Sequence, residues 1–207
     1  GIDILLLDLT MPDMDGYQLL AELRADSLEC KVIVVSADIQ DEAVRRVLEL
    51  GAVAFIRKPA DPVHLQQTLA SLGLIDGELS MLGIRESGEI EFRDAFREVV
   101  NIAMGRAAAL LAKVLGVFVQ LPIPNVNVLE VGELHMALAD AGQSNRLTAV
   151  CQGYIGGGIA GEALLIFHDS EVAEMARLMR TTEYREPEML LDLSSLLISA
   201  CLSGIAA

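Results

Sequence analysis

Three polar side chains follow short apolar runs in the first part of the chain, and each is of a type that can take part in chemistry. Asp8 comes directly after Ile4–Leu7, Ser36 ends the next run, and Lys58 follows Ala52–Ile56. Runs of this length and composition predict parallel strands that are buried on both faces. Because open α/β sheets bind ligands at the carboxyl ends of their strands, we expect a carboxylate, a hydroxyl and an ammonium group at one edge.

Helical segments separate these runs. Helices are predicted for Tyr17–Arg24, Asp38–Glu49 and Asp61–Leu72, and Gly51 and Gly73 follow the last two. Strand–helix alternation with short connections predicts an α/β fold with a doubly wound parallel sheet. Taken singly, the three polar residues have ordinary interpretations as an exposed carboxylate, a strand-end cap and a solvated lysine. Their occurrence at successive strand ends in this order favours a shared site.

The stretch around Asp8 resembles the phosphoacceptor motif of response regulator receiver domains, an apolar strand ending in Asp followed by x-x-Met-Pro-x-Met-Asp-Gly. The matching residues are Asp8, Met11, Pro12, Met14, Asp15 and Gly16. The resemblance implies a flavodoxin-like fold in which Asp8 accepts a phosphoryl group as an acyl phosphate. It also implies that Ser36 and Lys58 each bind a phosphoryl oxygen.

Further features near the strand ends follow from the same resemblance. It implies a Mg²⁺ site made by Asp8 and the backbone carbonyl of Thr10, a switch role for the aromatic Phe55, and a cis Lys58–Pro59 bond. Receivers of this family begin with a strand that carries an acidic pair for Mg²⁺, and then a helix, a strand and a helix. This sequence opens at the phosphoacceptor strand, so we expect weak or no Mg²⁺ binding and a longer parent protein.

Small residues interrupt residues 74–91, which show no hydrophobic period: Gly77, Ser80, Gly83, Ser87 and Gly88. This composition predicts a linker between a partial receiver at residues 1–73 and a second domain at residues 92–207. A helix through Glu78–Leu82 would make a stiffer joint, and the sequence leaves both alternatives open.

The longest predicted helix, Phe92–Leu115, carries a polar stripe. At 100° per residue Asp94, Glu98 and Asn101 share one side, and Gly105 continues that stripe one turn further without bulk to block a partner. Apolar residues gather on the opposite side: Phe96, Val99, Val100, Ala103, Ala107, Leu110, Leu111 and Val114. For each acidic residue alone, a solvated helix face is the simple interpretation.

The spacing Asp-x-x-x-Glu-x-x-Asn-Ile-x-x-Gly resembles the active-site signature of the CheC/CheX/FliY chemotaxis phosphatases, which dephosphorylate a phosphorylated receiver. The match consists of Asp94, Glu98, Asn101, Ile102 and Gly105. The resemblance implies an α+β domain with two long helices on an antiparallel sheet. It also implies that Asn101 orients a water for in-line attack on the aspartyl phosphate, and that Glu98 pairs with the receiver lysine.

The rest of the chain gives weaker signals. Alternation within residues 117–139 predicts antiparallel strands, on the positions Val126, Val128, Leu134, Met136 and Leu138. Val150–Phe167 predicts a hairpin around a glycine-rich turn, since no Lys-Ser/Thr follows the glycines as a nucleotide site would need. Ser170–Met179 predicts a helix with Ser170 as its N-cap.

Leu190–Ala207 is predicted as a second long helix, and it resembles the pseudo-symmetric repeat of the phosphatase helix. Ser194, Ile198 and Cys201 then take the places of the three polar residues, which makes this a degenerate second site and leaves one active helix. We expect it to be an inert packing helix. Its apolar end without closing strands predicts a truncated domain and an edge open to a homodimer partner.

Composition excludes several classes of protein. The net charge of −15 is spread over two acidic halves and leaves no basic face, so nucleic acid is not an expected partner. The three cysteines and three histidines show no metal spacing and no catalytic arrangement. No apolar run reaches about 18 residues and no signal segment opens the chain, so we expect a cytoplasmic protein without membrane insertion.

Our leading hypothesis is a chemotaxis-type response regulator that a histidine kinase phosphorylates at Asp8. Its second domain would hydrolyse the aspartyl phosphate of its own receiver, of a separate CheY-like receiver protein, or of both. One alternative is a non-catalytic output or docking module that the receiver switches. Another is a phosphate sink in which only the receiver turns over. Asn101 discriminates among them, because only the phosphatase needs its amide.

Overall fold

The computed structural model describes residues 3–11, 14–26, 30–75, 92–141, 147–156, 159–179 and 186–206. Its elements, in chain order, are β1 Ile4–Leu7, α1 Gly16–Ala25, β2 Lys31–Ser36, α2 Asp41–Glu49, β3 Ala54–Arg57, α3 Pro62–Ser71, α4 Phe92–Leu115, α5 Val131–Ala141, β4 Leu147–Gly156, β5 Ile159–His168, α6 Asp169–Leu178 and α7 Glu186–Ala206. The predicted linker lies outside the described residues, apart from its first two positions.

The first three strands form a parallel sheet in the order β1-β2-β3. Its central strand is apolar on both faces because helices cover both. Val34 packs with Leu20 of α1 and Val47 of α2 on one side, whereas Ile33 packs with Leu69 of α3 on the other. The predicted doubly wound parallel arrangement is therefore confirmed for this part of the chain.

The turn after β1 is fixed by Asp15 and Gly16. The carboxylate of Asp15 caps α1 by accepting a hydrogen bond from the backbone N–H of Tyr17 at 2.9 Å. A Cβ added at Gly16 would lie 2.6 Å from the carbonyl oxygen of Asp8. The glycine thus lets the start of α1 close back onto the end of β1, and this closure holds the backbone that carries Asp8.

In the second part of the chain α4 packs lengthwise against α7, and β4 pairs with β5 as an antiparallel hairpin. A hydrophobic core joins them: Leu111, Leu115, Phe167, Val172, Met189, Leu190 and Leu193. Helix α4 has the predicted bounds, and α7 begins at Glu186, earlier than predicted. The hairpin is confirmed, although Gly157 and Gly158 of its turn lie outside the described residues.

Residues 117–139 do not form the predicted strands. Residues 117–130 have no regular structure, and Val131–Ala141 is the helix α5. Its sequence is rich in strong helix formers such as leucine, methionine and alanine, and this propensity outweighs the short apolar alternation. The carboxylate of Glu133 also accepts from the backbone N–H of Glu130 at 2.9 Å and so satisfies a donor at the helix start.

The predicted N-cap of α6 is also wrong. The helix starts at Asp169, and His168 rather than Ser170 is the cap. The carboxylate of Glu171 accepts from the backbone N–H of His168 at 2.9 Å. A cap at Ser170 would place Ala173 at the corresponding position, and alanine has no acceptor for the reciprocal hydrogen bond.

The predicted apolar face of α4 is only partly buried. Val99, Leu110 and Val114 are 37%, 44% and 45% exposed. The buried positions are instead mostly alanines: Ala103, Ala107, Ala108, Ala109, Leu111 and Leu115. Small residues are buried because α4 is approached closely from two sides, by α7 and by the end of β2. A helical projection predicts which side of a helix is apolar. It does not show how closely a neighbouring backbone approaches, and that distance decides whether small or large residues are buried.

The helix α7 is long and apolar enough to cross a membrane by length and composition. Of its apolar window 28% is buried, and Met189, Leu193 and Ile198 are among the buried residues of the helix. Ser194 is buried too, so two of the three residues of the predicted degenerate site are packing positions.

Gly204→Ala should destabilise the packing of α7 on α4. A Cβ at Gly204 would lie 2.7 Å from the Cβ and 2.9 Å from the Cα of Ala103, and overpacking of this kind typically costs about 1–3 kcal/mol. We expect a loss of about 1–2 kcal/mol in the free energy of unfolding, measured with urea, because better helix propensity returns part of the cost. Gly132→Ala is the control, since a Cβ there meets nothing within 4 Å.

Candidate functional site

The ends of β1 and β3 bring Asp8 and Lys58 into contact. The ammonium of Lys58 donates to Asp8 Oδ2 at 2.7 Å, and Asp8 Oδ1 accepts from the backbone N–H of Thr10 at 3.0 Å. The backbone N–H of Lys58 donates to the carbonyl of Ser36 at 2.9 Å. This backbone hydrogen bond ties the residue after β3 to the end of β2. It holds Lys58 beside the carboxylate of Asp8.

Ser36 sits at the end of β2 between these two strands. It is fully buried, and its hydroxyl oxygen accepts from the backbone N–H of Asp38 at 3.1 Å. The hydroxyl proton is left for another acceptor at this edge of the sheet. The carboxylate, hydroxyl and ammonium groups therefore lie at the carboxyl ends of three adjacent strands.

A second carboxylate reaches Lys58 from the other part of the chain. Glu98 Oε1 of α4 lies 2.8 Å from the ammonium nitrogen of Lys58. The side chain of Lys58 is 16% exposed. Burial by itself lowers the pKa of Lys58, but the hydrogen bonds from Lys58 to Asp8 and Glu98 outweigh it, so the net pKa is raised. Lys58 is thus held in its charged form between the two carboxylates.

Helix α4 lies directly against the end of β2. A Cβ added at Gly105 would overlap the carbonyl oxygen of Ala37 and lie 2.6 Å from its carbonyl carbon. A cleft of about 480 Å³ runs alongside this contact, and Thr10, Asp38 and Asn101 contribute polar groups to its wall. Glu98 and Asn101 are three residues apart, so both lie on the side of α4 that faces this edge of the sheet.

Gln40 makes a second polar contact across the same boundary. It precedes α2 and is 7% exposed. Its amide nitrogen donates to the carbonyl oxygen of Val119 at 2.6 Å, and its amide oxygen accepts from the backbone N–H of Val119 at 3.0 Å. The sequence analysis did not single out Gln40. Its partners are backbone atoms 79 positions away, which no side-chain motif reveals.

Other residues singled out from the sequence lie further from this contact. Phe55 is half-buried against the sheet core, and the Lys58–Pro59 bond is cis, as the resemblance implies. Asp94 is exposed and pairs with Arg97 on its own helix at 3.9 Å. Cys201 of the predicted degenerate site is half-buried, and burial raises the pKa of its thiol. Pro12 lies outside the described residues.

The donors around Asp8 supply only part of what Mg²⁺ needs. Both oxygens of Asp8 already accept hydrogen bonds, and among the described residues no group of three His, Cys, Asp or Glu side chains is placed to hold a metal. Mg²⁺ takes six oxygen ligands in near-octahedral order. One carboxylate and the carbonyl of Thr10 do not complete that set, so weak Mg²⁺ binding remains a prediction.

Asp38 should make stability depend on pH. Burial raises its pKa, and hydrogen bonds from the backbone and side chain of Gln40 offset this only in part. The folded state thus holds the proton more tightly than the unfolded chain, so the free energy of unfolding falls as pH rises through the unfolded value of 3.8. Asp38→Asn keeps an acceptor without the charge. We expect the free energy of unfolding of Asp38→Asn, measured with urea at pH 7, to be higher than that of wild type.

The same variant should lose that advantage below pH 3.8, where wild-type Asp38 is protonated in both states. Asp192→Asn, at an exposed position on α7, is the matched control and should show no such pH-dependent gain. A larger advantage for Asp38→Asn in acid than at pH 7 would contradict the assignment.

Comparison with known proteins agrees with this geometry for the first part of the chain. Residues 1–70 match the family model of the response regulator receiver domain. The chain is 36% identical over 72 residues to the chemotaxis protein CheY of Treponema pallidum, which covers 35% of this chain and 50% of CheY. It is 49% identical over 104 residues to protein-glutamate methylesterase/protein-glutamine glutaminase 3 of Geobacter sulfurreducens, covering 50% of this chain and 28% of that protein.

Among solved structures, a chain of the CheX–CheY–BeF₃–Mg²⁺ complex from Borrelia burgdorferi matches at 36% identity and a TM-score of 0.34, covering 36% of this chain and 55% of that one. This chain spans half the length or less of the two curated relatives above. The N-terminal part of the chain is a CheY-like response regulator receiver domain, a module of two-component and chemotaxis signalling.

Proposed function

We propose that this chain is a response regulator in which α4 promotes hydrolysis of the aspartyl phosphate on Asp8 of the same chain, as a CheC-like phosphatase. The observation that carries the proposal is the shared ammonium of Lys58, which contacts Asp8 Oδ2 at 2.7 Å and Glu98 Oε1 at 2.8 Å. A helix from the second part of the chain thus reaches the phosphoacceptor itself. The sequence left action in cis and in trans open, and this contact favours action in cis.

Phosphorylation would begin with a histidine kinase as the donor. A carboxylate oxygen of Asp8 attacks the phosphorus of phosphohistidine, the P–N bond breaks, and an acyl phosphate forms on Asp8. Lys58 offsets the charge on the phosphoryl oxygens, since its hydrogen bonds to Asp8 and Glu98 outweigh the effect of burial and keep it protonated. The free hydroxyl proton of Ser36 is available to another of these oxygens.

Hydrolysis of the acyl phosphate restores the free carboxylate of Asp8. A water attacks phosphorus in line with the Asp8 oxygen, the P–O bond to Asp8 breaks, and inorganic phosphate leaves with the oxygen of the water. Asn101 can both accept from and donate to that water through its amide. Because Glu98 is anchored on Lys58, Asn101 one turn along α4 is placed in the cleft beside Thr10. The contribution of α4 is then mainly orientation.

The docking module is the alternative, and it predicts the same contacts without a role in turnover. Asp94 of the signature pairs with Arg97 on its own helix, so we assign it no step. A separate CheY-like protein could also bind α4 with the same edge of its sheet. It would first have to displace the receiver of this chain from its contacts with α4.

The test uses the full-length protein, phosphorylated at Asp8, and follows the lifetime of its acyl phosphate. Glu98→Ala should lengthen that lifetime, because α4 loses its anchor on Lys58. Glu188→Ala, exposed at the start of α7, should not. A parallel assay adds each protein to a separate phosphorylated CheY-like receiver and measures phosphate release. If Glu98→Ala changes neither quantity, the phosphatase proposal is wrong and the docking module stands.

A further inference from the structure

We propose that Gln40 is the residue by which the docking surface, formed by α4 and residues 117–123, selects the receiver that it accepts. The inference extends the function proposed above, yet its primary measurement concerns docking and not turnover. It rests on a side chain that lies outside the phosphoryl site and that no receiver chemistry requires.

Both ends of the Gln40 amide make hydrogen bonds at this boundary. Its nitrogen donates to the carbonyl of Val119 and its oxygen accepts from the N–H of the same residue, in the way that a neighbouring strand would pair. The nitrogen also lies 3.1 Å from Asp38 Oδ1. Gln40 does not cap α2 with its side chain, so its amide serves the contact with Val119 and not the local helix.

Docking pairs both backbone polar groups of the half-buried Val119 with a side chain of the receiver. Backbone groups that lose water without a partner carry a desolvation penalty, and a site built to pair polar groups rejects a partner that lacks them. Lysine or arginine could satisfy only the carbonyl, and a carboxylate only the N–H. Glutamine meets both needs at this reach. The surface should therefore prefer a receiver with glutamine at this position over one with a charged or apolar residue there.

The other contacts discriminate less. The pair between Glu98 and Lys58 uses the lysine of the phosphoryl site, which any receiver with that site can offer. Gly105 rests on the backbone of Ala37, and backbone is present in every receiver. Gln40 thus supplies a contact at this boundary that depends on the identity of its side chain.

The first measurement is hydrogen exchange at the Val119 amide in the full-length protein. Gln40→Met keeps side-chain length and removes both hydrogen bonds to Val119, together with the one to Asp38, so exchange at Val119 should accelerate by about tenfold or more. Gln67→Met, the same change at an exposed position on α3, should leave it unchanged. Unaltered exchange in Gln40→Met, or equal acceleration in Gln67→Met, would overturn the proposal.

A binding measurement tests selection directly. The Gln40→Met protein is used because its own receiver no longer pairs with Val119. Two forms of a separate CheY-like receiver are added to it, one with glutamine and one with lysine at the position aligned with Gln40. The glutamine form should bind about tenfold more tightly than the lysine form. Equal affinities would also overturn the proposal. The acyl phosphate lifetime separates the two proposals: faster exchange at Val119 with an unchanged lifetime would retain the docking role of Gln40 and refute phosphatase action in cis.

Discussion

Asn101→Ala is expected to lengthen the lifetime of the acyl phosphate on Asp8 by about 10²–10³-fold, the usual cost of losing one hydrogen bond that acts in the transition state. The alanine side chain can neither accept from nor donate to the attacking water. It should leave docking intact, because Glu98 still reaches Lys58 and Gln40 still pairs with Val119. The measurement is phosphate release from the phosphorylated full-length protein.

Two comparisons make this result specific. Asn127→Ala removes an amide at an exposed position of the irregular segment and should release phosphate at the wild-type rate. Hydrogen exchange at Val119 should be as slow in Asn101→Ala as in wild type. An Asn101→Ala protein with a normal lifetime and normal exchange would mean that α4 docks without catalysing, which is the behaviour of an output module.

The phosphoacceptor edge could be anticipated from the sequence because strand periodicity and chain order decide it. Parallel strands place their carboxyl ends together, so the positions of Asp8, Ser36 and Lys58 after three apolar runs were sufficient to expect a common edge. The bounds of α4 followed equally from local features. Both are cases in which neighbours in sequence determine the structure.

The boundary between the two parts of the chain could not be anticipated in the same way. The helical projection placed Gly105 on the polar stripe and inferred room for a partner, but it could not identify Ala37 as that partner. The contact between Gln40 and Val119 depends on backbone atoms far away in the chain. Such contacts depend on how helices and strands pack in the tertiary structure, and the local sequence pattern carries no information about that packing.

The strand prediction for residues 117–139 failed for a related reason. Leu134, Met136 and Leu138 alternate with other residues, but over so short a span an apolar alternation also fits a helix of strong helix formers. Most of α5 is exposed, so burial does not select between the two periods. Helix propensity and the hydrogen bond from Glu130 to Glu133 decide instead.

Gly105→Ala separates the stability of α4 from its docking, because the two should change in opposite directions. Within a helix, alanine is favoured over glycine by about 1 kcal/mol, so the helical circular dichroism should be maintained and the unfolding free energy of the second part should not fall. The new Cβ, however, would overlap the carbonyl of Ala37 and lie 2.6 Å from its carbon. That neighbour is backbone at the end of a buried strand, so it cannot turn aside as a side chain would.

The expected consequence is a shift of α4 away from the receiver edge and a longer acyl phosphate lifetime, by about 10²-fold for a displacement near 1 Å. Exchange at Val119 should accelerate in the same protein. Gly132→Ala adds the same methyl group to a helix where nothing lies within 4 Å, and it should alter neither quantity. A normal lifetime in Gly105→Ala would show that phosphate release does not depend on this close approach, and action in cis would have to be given up even if Asn101 proved essential in trans.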